Sequence, residues 1–156
     1  MQIDLPKNKK ERVVILGGGF GGLSAAAKLS SEHYQTVLID KNNFHTFQPL
    51  LYQVAAAGLE PDSICSPIRK ILSYKKDFHF RMATVEGADI EKKIVFTNQG
   101  SLSYDHLIIA MGAETNFLGN SDLQKNAFPL KEMTDATTLR NHIFMCFESA
   151  LYEKGS

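Results

Sequence analysis

The feature that most constrains this chain is Val13-Val14-Ile15-Leu16 running directly into Gly17-Gly18-Gly19-Phe20-Gly21-Gly22. A β-branched apolar run stopped by glycine predicts a strand buried on both faces, as in a parallel sheet. From Phe20 to about Ser30, Leu23, Ala26, Ala27 and Ser30 recur at helical spacing and give a helix with one packing face. Thr36-Val37-Leu38-Ile39 then repeats the buried-strand pattern and stops at Asp40. Strand, helix and strand within about thirty residues make a βαβ unit.

In that context Gly17, Gly19 and Gly22 satisfy GxGxxG. The first glycine permits a tight turn, the second lets the backbone approach a pyrophosphate, and the third lets helix and strand pack closely. The helix N-terminus presents N–H groups and a positive dipole end to the phosphates. Asp40 follows Gly22 by 18 residues, at the strand end where a carboxylate accepts hydrogen bonds from adenosine ribose hydroxyls and repels a 2′-phosphate. The pattern predicts a dinucleotide site but does not separate NAD from FAD, since both carry adenosine and pyrophosphate.

The aromatic-rich stretch from Phe44 to Gly58 has no clean period and reads as a long loop with a short helix. Ser66-Pro67 reads as an N-cap followed by proline at the first helical position, with Ile68, Ile71 and Leu72 lining one side. Phe78, Phe80 and Met82 alternate with polar neighbours, and Ile94-Val95-Phe96 and Leu102-Ser103-Tyr104 follow after turn-like segments, which predicts an antiparallel meander. Leu107-Ile108-Ile109-Ala110 is another buried strand, ended by Gly112. Ala136, Leu139, Ile143, Phe147 and Ala150 mark an amphipathic helix running almost to the end of the chain.

At 156 residues the chain is long enough for one sizeable core, so a single domain is the starting expectation. Lysine plus arginine balance aspartate plus glutamate at 17 each, which argues against a nucleic-acid partner or a polybasic membrane anchor. Lys7, Lys9 and Lys10 read as a solvated tail. Cys65 and Cys146 stand far apart, suggest neither disulfide framework nor zinc cluster, and are expected to be small buried apolar residues in a reducing, cytosolic compartment. No metal ligand set and no catalytic side chain is assigned; a lone histidine such as His45 is more often structural than a proton relay.

The strand and glycine turn from Tyr104 to Ala113, preceded by a meander instead of another βαβ unit, resemble the FAD domains of two-dinucleotide flavoprotein reductases. Those domains often carry threonine where Met111 stands, so here close backbone approach at Gly112 is kept and a hydroxyl contact is not expected. Asp40-Lys41-Asn42-Asn43-Phe44-His45-Thr46-Phe47-Gln48-Pro49-Leu50-Leu51-Tyr52-Gln53-Val54-Ala55, with Phe128-Pro129-Leu130-Lys131, Asp135-Ala136 and Leu139-Arg140, is similar to type II NADH dehydrogenases, the single-chain NADH:quinone oxidoreductases. The resemblance implies an α/β, Rossmann-like FAD-binding domain with a parallel sheet and an antiparallel meander, incomplete at its C-terminal end. It implies pyrophosphate contacts from Gly17, Gly18, Gly19, Phe20 and Gly21, with Gly22 also at the cofactor site, and places Asp40 and Lys41 at the border of the adenosine ribose. Val85 would meet the adenine through its backbone, Ala110 and Gly112 would lie beside the cofactor, and Gln48 and Pro49 would lie towards the flavin ring. By residue type alone Val85 also fits a core position, and Phe44, Phe47, Leu50, Leu51 and Tyr52 also fit a cover over the sheet.

The expected organisation is a polar tail over residues 1–11, a partial FAD-binding domain over 12–130, and a helix over 131–156 leading towards an absent NADH-binding domain. On this reading the full-length enzyme is a flavoprotein that transfers electrons from NADH to a quinone, peripheral on the cytoplasmic face of the membrane through an absent C-terminal region, with a homodimer compatible. The isolated chain is expected to be inactive. A sulfide:quinone or ferredoxin/disulfide reductase relative, and a non-catalytic NAD-binding sensor, stay open as alternatives.

Overall fold

The computed structural model describes residues 2–152; the last four positions of the helix expected over 131–156 lie outside them. In chain order the elements are β1 (Glu11–Leu16), α1 (Phe20–Lys28), β2 (Tyr34–Asp40), β3 (Phe44–Thr46), α2 (Leu51–Ala55), β4 (Cys65–Pro67) and α3 (Ile68–Ile71). They continue with β5 (Phe78–Met82), β6 (Val85–Asp89), β7 (Ile94–Thr97), β8 (Gly100–Ser103), β9 (His106–Ile109), α4 (Ser121–Asn126) and α5 (Met133–Tyr152). Short 3-10 turns occupy Gln48–Leu50 and Pro61–Ile64, and β3 pairs with β4. The chain divides into two compact units, residues 2–45 with 66–112, and residues 46–65 with 113–152.

The first unit is built on a four-stranded sheet in the order β5-β2-β1-β9, with every pairing parallel. The apolar runs of β1 and β2 are unbroken because both faces are covered, whereas β9, expected to be buried as well, lies at the edge of the sheet with Leu107 and Ile108 half-buried and Ile109 exposed. Val13, Ile15, Leu38 and Phe80 pack under Leu23 and Ala26 of α1 and under Ile68 and Leu72. On the opposite face Val14, Leu16, Val37 and Ile39 pack under Ala83, Val95, Leu102 and Tyr104. That second layer is an antiparallel ladder of β6, β7 and β8, with a register shift between Val85 and Gly87.

Three local expectations are corrected. Phe78, Phe80 and Met82 do not open the meander; they belong to β5, which runs parallel to β2 at the edge of the main sheet. Alternation there reflects two different covers: Phe80 is buried under the helical layer, whereas Arg81 donates to the Asp4 carbonyl at 2.7 Å. Pro67 is the N-cap of α3 and not its first helical residue, since Ser66 and Pro67 close β4. Cys146 is exposed and Cys65 only half-buried, so neither is a buried apolar residue.

The N-terminal segment is also held down. Ile3 N–H donates to the Ser101 carbonyl at 2.9 Å, and Ile3 and Leu5 pack against the core. Gln35 donates to the Pro6 carbonyl at 2.8 Å. Lys10 departs from the solvated reading, because its Nζ donates to the Ser31 carbonyl at 2.6 Å and pairs with Asp77.

In the second unit Leu51, Val54 and Ala55 of α2 pack with Ile64 and with Ala136 of α5. Asp135 reaches back to accept from the N–H groups of Lys131 (2.9 Å) and Glu132 (2.8 Å), which satisfies donors at the start of α5. Asn120 Oδ1 caps α4 through Asp122 and Leu123. The amphipathic face read for α5 is used only in its first half: Ala136 is buried and Leu139 packs against the core, but Phe147 is 70% exposed. No helix among the described residues is long and apolar enough to cross a membrane.

Candidate functional site

The site lies where β1 and β2 end and α1 begins, all within the first unit. Gly17 N–H donates to the Ile39 carbonyl at 2.8 Å, and Ala110 N–H donates to the Leu16 carbonyl at 2.8 Å. These bonds bring the glycine turn, the end of β2 and the chain after β9 together.

The glycines of this turn serve different ends. Gly17 has φ +103°, and a Cβ there would fall 2.3 Å from the Ala110 carbonyl oxygen. A Cβ on Gly22 would fall 1.8 Å from the Gly17 carbonyl oxygen and 3.4 Å from Ile15 Cγ2. Both are therefore demanded by the protein's own close packing. A Cβ on Gly18 would meet Ile68 Cδ1 at 2.6 Å. Gly19 differs: a Cβ would meet nothing within 4 Å, so the space over it is open.

Gly19 is also the N-cap of α1, and no side chain caps that end. The helix's own ladder starts with Leu23 N–H donating to the Gly19 carbonyl at 3.0 Å. The amides of Gly21 and Gly22 precede that bond and have no partner in the ladder, which leaves the donors and dipole end that suit an anion. An open space over a glycine, lined by such amides, fits a pyrophosphate.

Asp40 closes β2 and is half-buried. Its Oδ2 accepts from Gly18 N–H at 2.5 Å and its Oδ1 from Asn42 N–H at 2.7 Å. Phe20 is 45% exposed at the first position of α1, and Lys41 is exposed beside Asp40. Ala110 touches the turn directly, with its Cβ 3.7 Å from where a Cβ on Gly21 would stand. Gly112 has φ +76° and open space about it. Val85 packs its side chain against the core, so its side chain takes the core reading. Gln48 and Pro49 belong to the second unit, where Gln48 Nε2 donates to the Lys131 carbonyl at 3.3 Å.

His45 is the residue that sequence reasoning set aside and the structure brings in. Its Nδ1 lies 3.0 Å from the Gly18 carbonyl, and its ring meets the Phe20 ring edge-on at 4.9 Å between centroids. No spacing rule links a histidine to a glycine 27 positions earlier, so no signal in the sequence marks it. Among the described residues no cluster of metal-ligating side chains occurs.

A doubly covered parallel sheet with a glycine turn, a helix N-terminus and an acidic strand end defines a dinucleotide-binding α/β domain. The chain belongs to the pyridine nucleotide-disulphide oxidoreductase family, whose model matches residues 11–144. It is 37% identical over 145 residues to the type II NADH:quinone oxidoreductase NdhA of Mycobacterium tuberculosis, covering 90% of this chain and 31% of that protein. Among solved structures it is similar to NDH2 from Plasmodium falciparum in complex with NADH, with a TM-score of 0.84, 27% identity and coverage of 95% of this chain and 32% of that one. The sulfide:quinone oxidoreductase of Aquifex aeolicus shares the fold, with a TM-score of 0.78 at 23% identity over 88% of this chain and 32% of that one. The chain thus spans about a third of the length of the relatives it matches.

Proposed function

We propose that this chain is the FAD-binding part of an oxidoreductase that passes electrons from NADH to a quinone. The observation that carries the reading is the open space over Gly19 at the uncapped start of α1, next to Gly18, whose N–H is held by the Asp40 carboxylate. The choice of FAD over NAD is supported by the meander that follows β5 in place of a further βαβ unit, and by the Gly112 turn after β9. The names of the relatives support NADH as donor and a quinone as acceptor.

The chain's own residues bind and orient. The Gly17 to Gly22 turn holds the pyrophosphate through the amides of Gly19 and of the first turn of α1, with the helix dipole opposing its charge, while the N–H groups of Gly17 and Gly18 stay engaged by Ile39 and Asp40. Asp40 takes ribose hydroxyls on the lone pairs left by its two backbone donors, and Lys41 borders the same ribose. Val85 meets the adenine through its backbone. Ala110 and Gly112 let the chain after β9 run close to the cofactor, and Gln48 and Pro49 are the segment the resemblance assigns to the flavin ring. FAD held there would supply the redox chemistry, hydride acceptance and electron transfer, that these side chains lack. No side chain is assigned a proton-transfer step.

In the longer protein this part works with an NADH-binding domain and with a membrane-associated region, at the cytoplasmic face. Titration of the chain with FAD and with NAD tests the cofactor, with FAD expected to bind at least about tenfold more tightly. Tighter binding of NAD would overturn the assignment. A full-length preparation that carries flavin and consumes NADH only when a soluble quinone is added would confirm the electron path.

A further inference from the structure

Gly18 sits between two peptide planes, and each is held by a side chain from outside the turn. Its N–H donates to Asp40 Oδ2 at 2.5 Å, and its carbonyl lies 3.0 Å from His45 Nδ1. A carbonyl oxygen only accepts, so the proton is on Nδ1 and His45 donates. Both the Nδ1–H neutral ring and the imidazolium carry that proton, so the contact does not depend on the charge of the ring. The imidazole is steadied by Phe20, whose ring stands at 81° to it.

The Gly18 carbonyl and the Gly19 N–H belong to one planar trans peptide and point in opposite directions. Drawing the carbonyl towards His45 therefore turns the Gly19 N–H away from His45. Flanked by glycine on both sides, this peptide has no Cβ to resist rotation, and a flipped plane would present a carbonyl where a phosphate needs a donor. We infer that His45 is a positioning residue for the pyrophosphate: it clasps the Gly18 carbonyl and so presets the Gly19 amide as a donor. The inference rests on the FAD reading and adds to it a residue outside the glycine turn.

Three variants separate this role from simple packing against Phe20. In His45→Asn the amide nitrogen stands close to where Nδ1 stood, in His45→Gln it stands nearer to the Nε2 position, and His45→Ala has no donor. FAD affinity of the chain, read by flavin fluorescence, is expected to fall about tenfold in His45→Ala and His45→Gln and to stay within about threefold in His45→Asn. In FAD-free protein the ¹⁵N-resolved Gly19 amide should exchange faster with solvent and shift in His45→Ala, and return towards its original position in His45→Asn. Affinity unchanged in His45→Ala, or His45→Asn no better than His45→Gln, would overturn the inference and leave the FAD reading standing. If His45→Ala does not fold, the Asn and Gln variants carry the comparison alone. Failure of the unmodified chain to bind FAD would remove both.

Discussion

Asp40 and Gly18 are joined by a carboxylate–amide hydrogen bond of 2.5 Å, which ties the end of β2 to the middle of the glycine turn. The other carboxylate oxygen is bonded to Asn42 N–H at 2.7 Å. Each oxygen keeps a lone pair, so the acidic strand end shapes the turn and can still accept from a ribose. Hydrogen bonds to a charged group contribute about 1.5–3 kcal/mol each, so Asp40→Ala should weaken FAD binding by about ten- to a hundredfold. Unchanged affinity in a folded variant would reduce Asp40 to a support for the turn.

The glycines should divide into two groups on substitution. Gly22→Ala drives a Cβ into the Gly17 carbonyl and should destabilise the fold by about 1–3 kcal/mol or more. Gly19→Ala adds a Cβ in open space at an extended N-cap, with φ −76° and ψ −169°, and should cost under about 1 kcal/mol. FAD affinity should nevertheless drop at least about tenfold in Gly19→Ala, because the methyl stands where the phosphates belong. Denaturant midpoints beside FAD titrations test the split, and a Gly19→Ala protein that binds FAD normally would contradict it.

Much of the first unit is legible in the sequence because β1 and β2 are covered on both faces, and β9, although its Ile109 is exposed at the sheet edge, carries the same apolar pattern. Val13 to Leu16, Thr36 to Ile39 and Leu107 to Ile109 read as unbroken apolar runs, and the structure places all three side by side. β5 and β6 were less legible, for different reasons. β5 alternates because it is an edge strand with unlike covers, and alternation does not distinguish parallel from antiparallel neighbours. β6 reads Val85-Glu86-Gly87-Ala88-Asp89, with one strong strand former, and owes its conformation to pairing with β7. At the site, Gly17 to Gly22 and Asp40 follow from spacing, whereas the His45 contact arises from the path of the chain after β2. The anchoring of Lys10 was equally hidden, because charged residues near a terminus read as solvated whatever they touch.

Stability should fall on mild acidification through His79. Its Nε2 is buried without a hydrogen-bond partner, and burial, aided by the Arg81 and Arg12 guanidinium groups and opposed by Asp77, holds its pKa below the ordinary value of 6.5. The unfolded chain then takes up the proton first, so stability is fully present above about pH 6.5 and is lost as pH falls towards the lowered native value. Asp77 acts in the same direction at more acidic pH, since its hydrogen bond from Lys10 lowers its own pKa and that contribution disappears as the carboxyl is protonated. Urea midpoints should therefore drop between pH 7.5 and 5.5, and His79→Gln should flatten that slope. Identical slopes in both proteins would sink the idea.

The chain by itself should not oxidise NADH. Hydride transfer needs the nicotinamide held against the flavin at about van der Waals distance, and such positioning is worth on the order of 7–11 kcal/mol of the barrier. The sequence contains one GxGxxG fingerprint, at Gly17 to Gly22, and spans 31% of its mycobacterial relative. With FAD in that turn, no second fingerprint is left to hold NADH. β9 moreover stands at the edge of the four-stranded sheet, with Ile109 66% exposed, and an unpaired apolar edge favours self-association. Pure chain given excess FAD, NADH and a soluble quinone should leave NADH absorbance flat beyond the uncatalysed drift. Turnover of about 1 per second or more, the ordinary range for an intact enzyme, would mean that this part alone assembles both nucleotide sites.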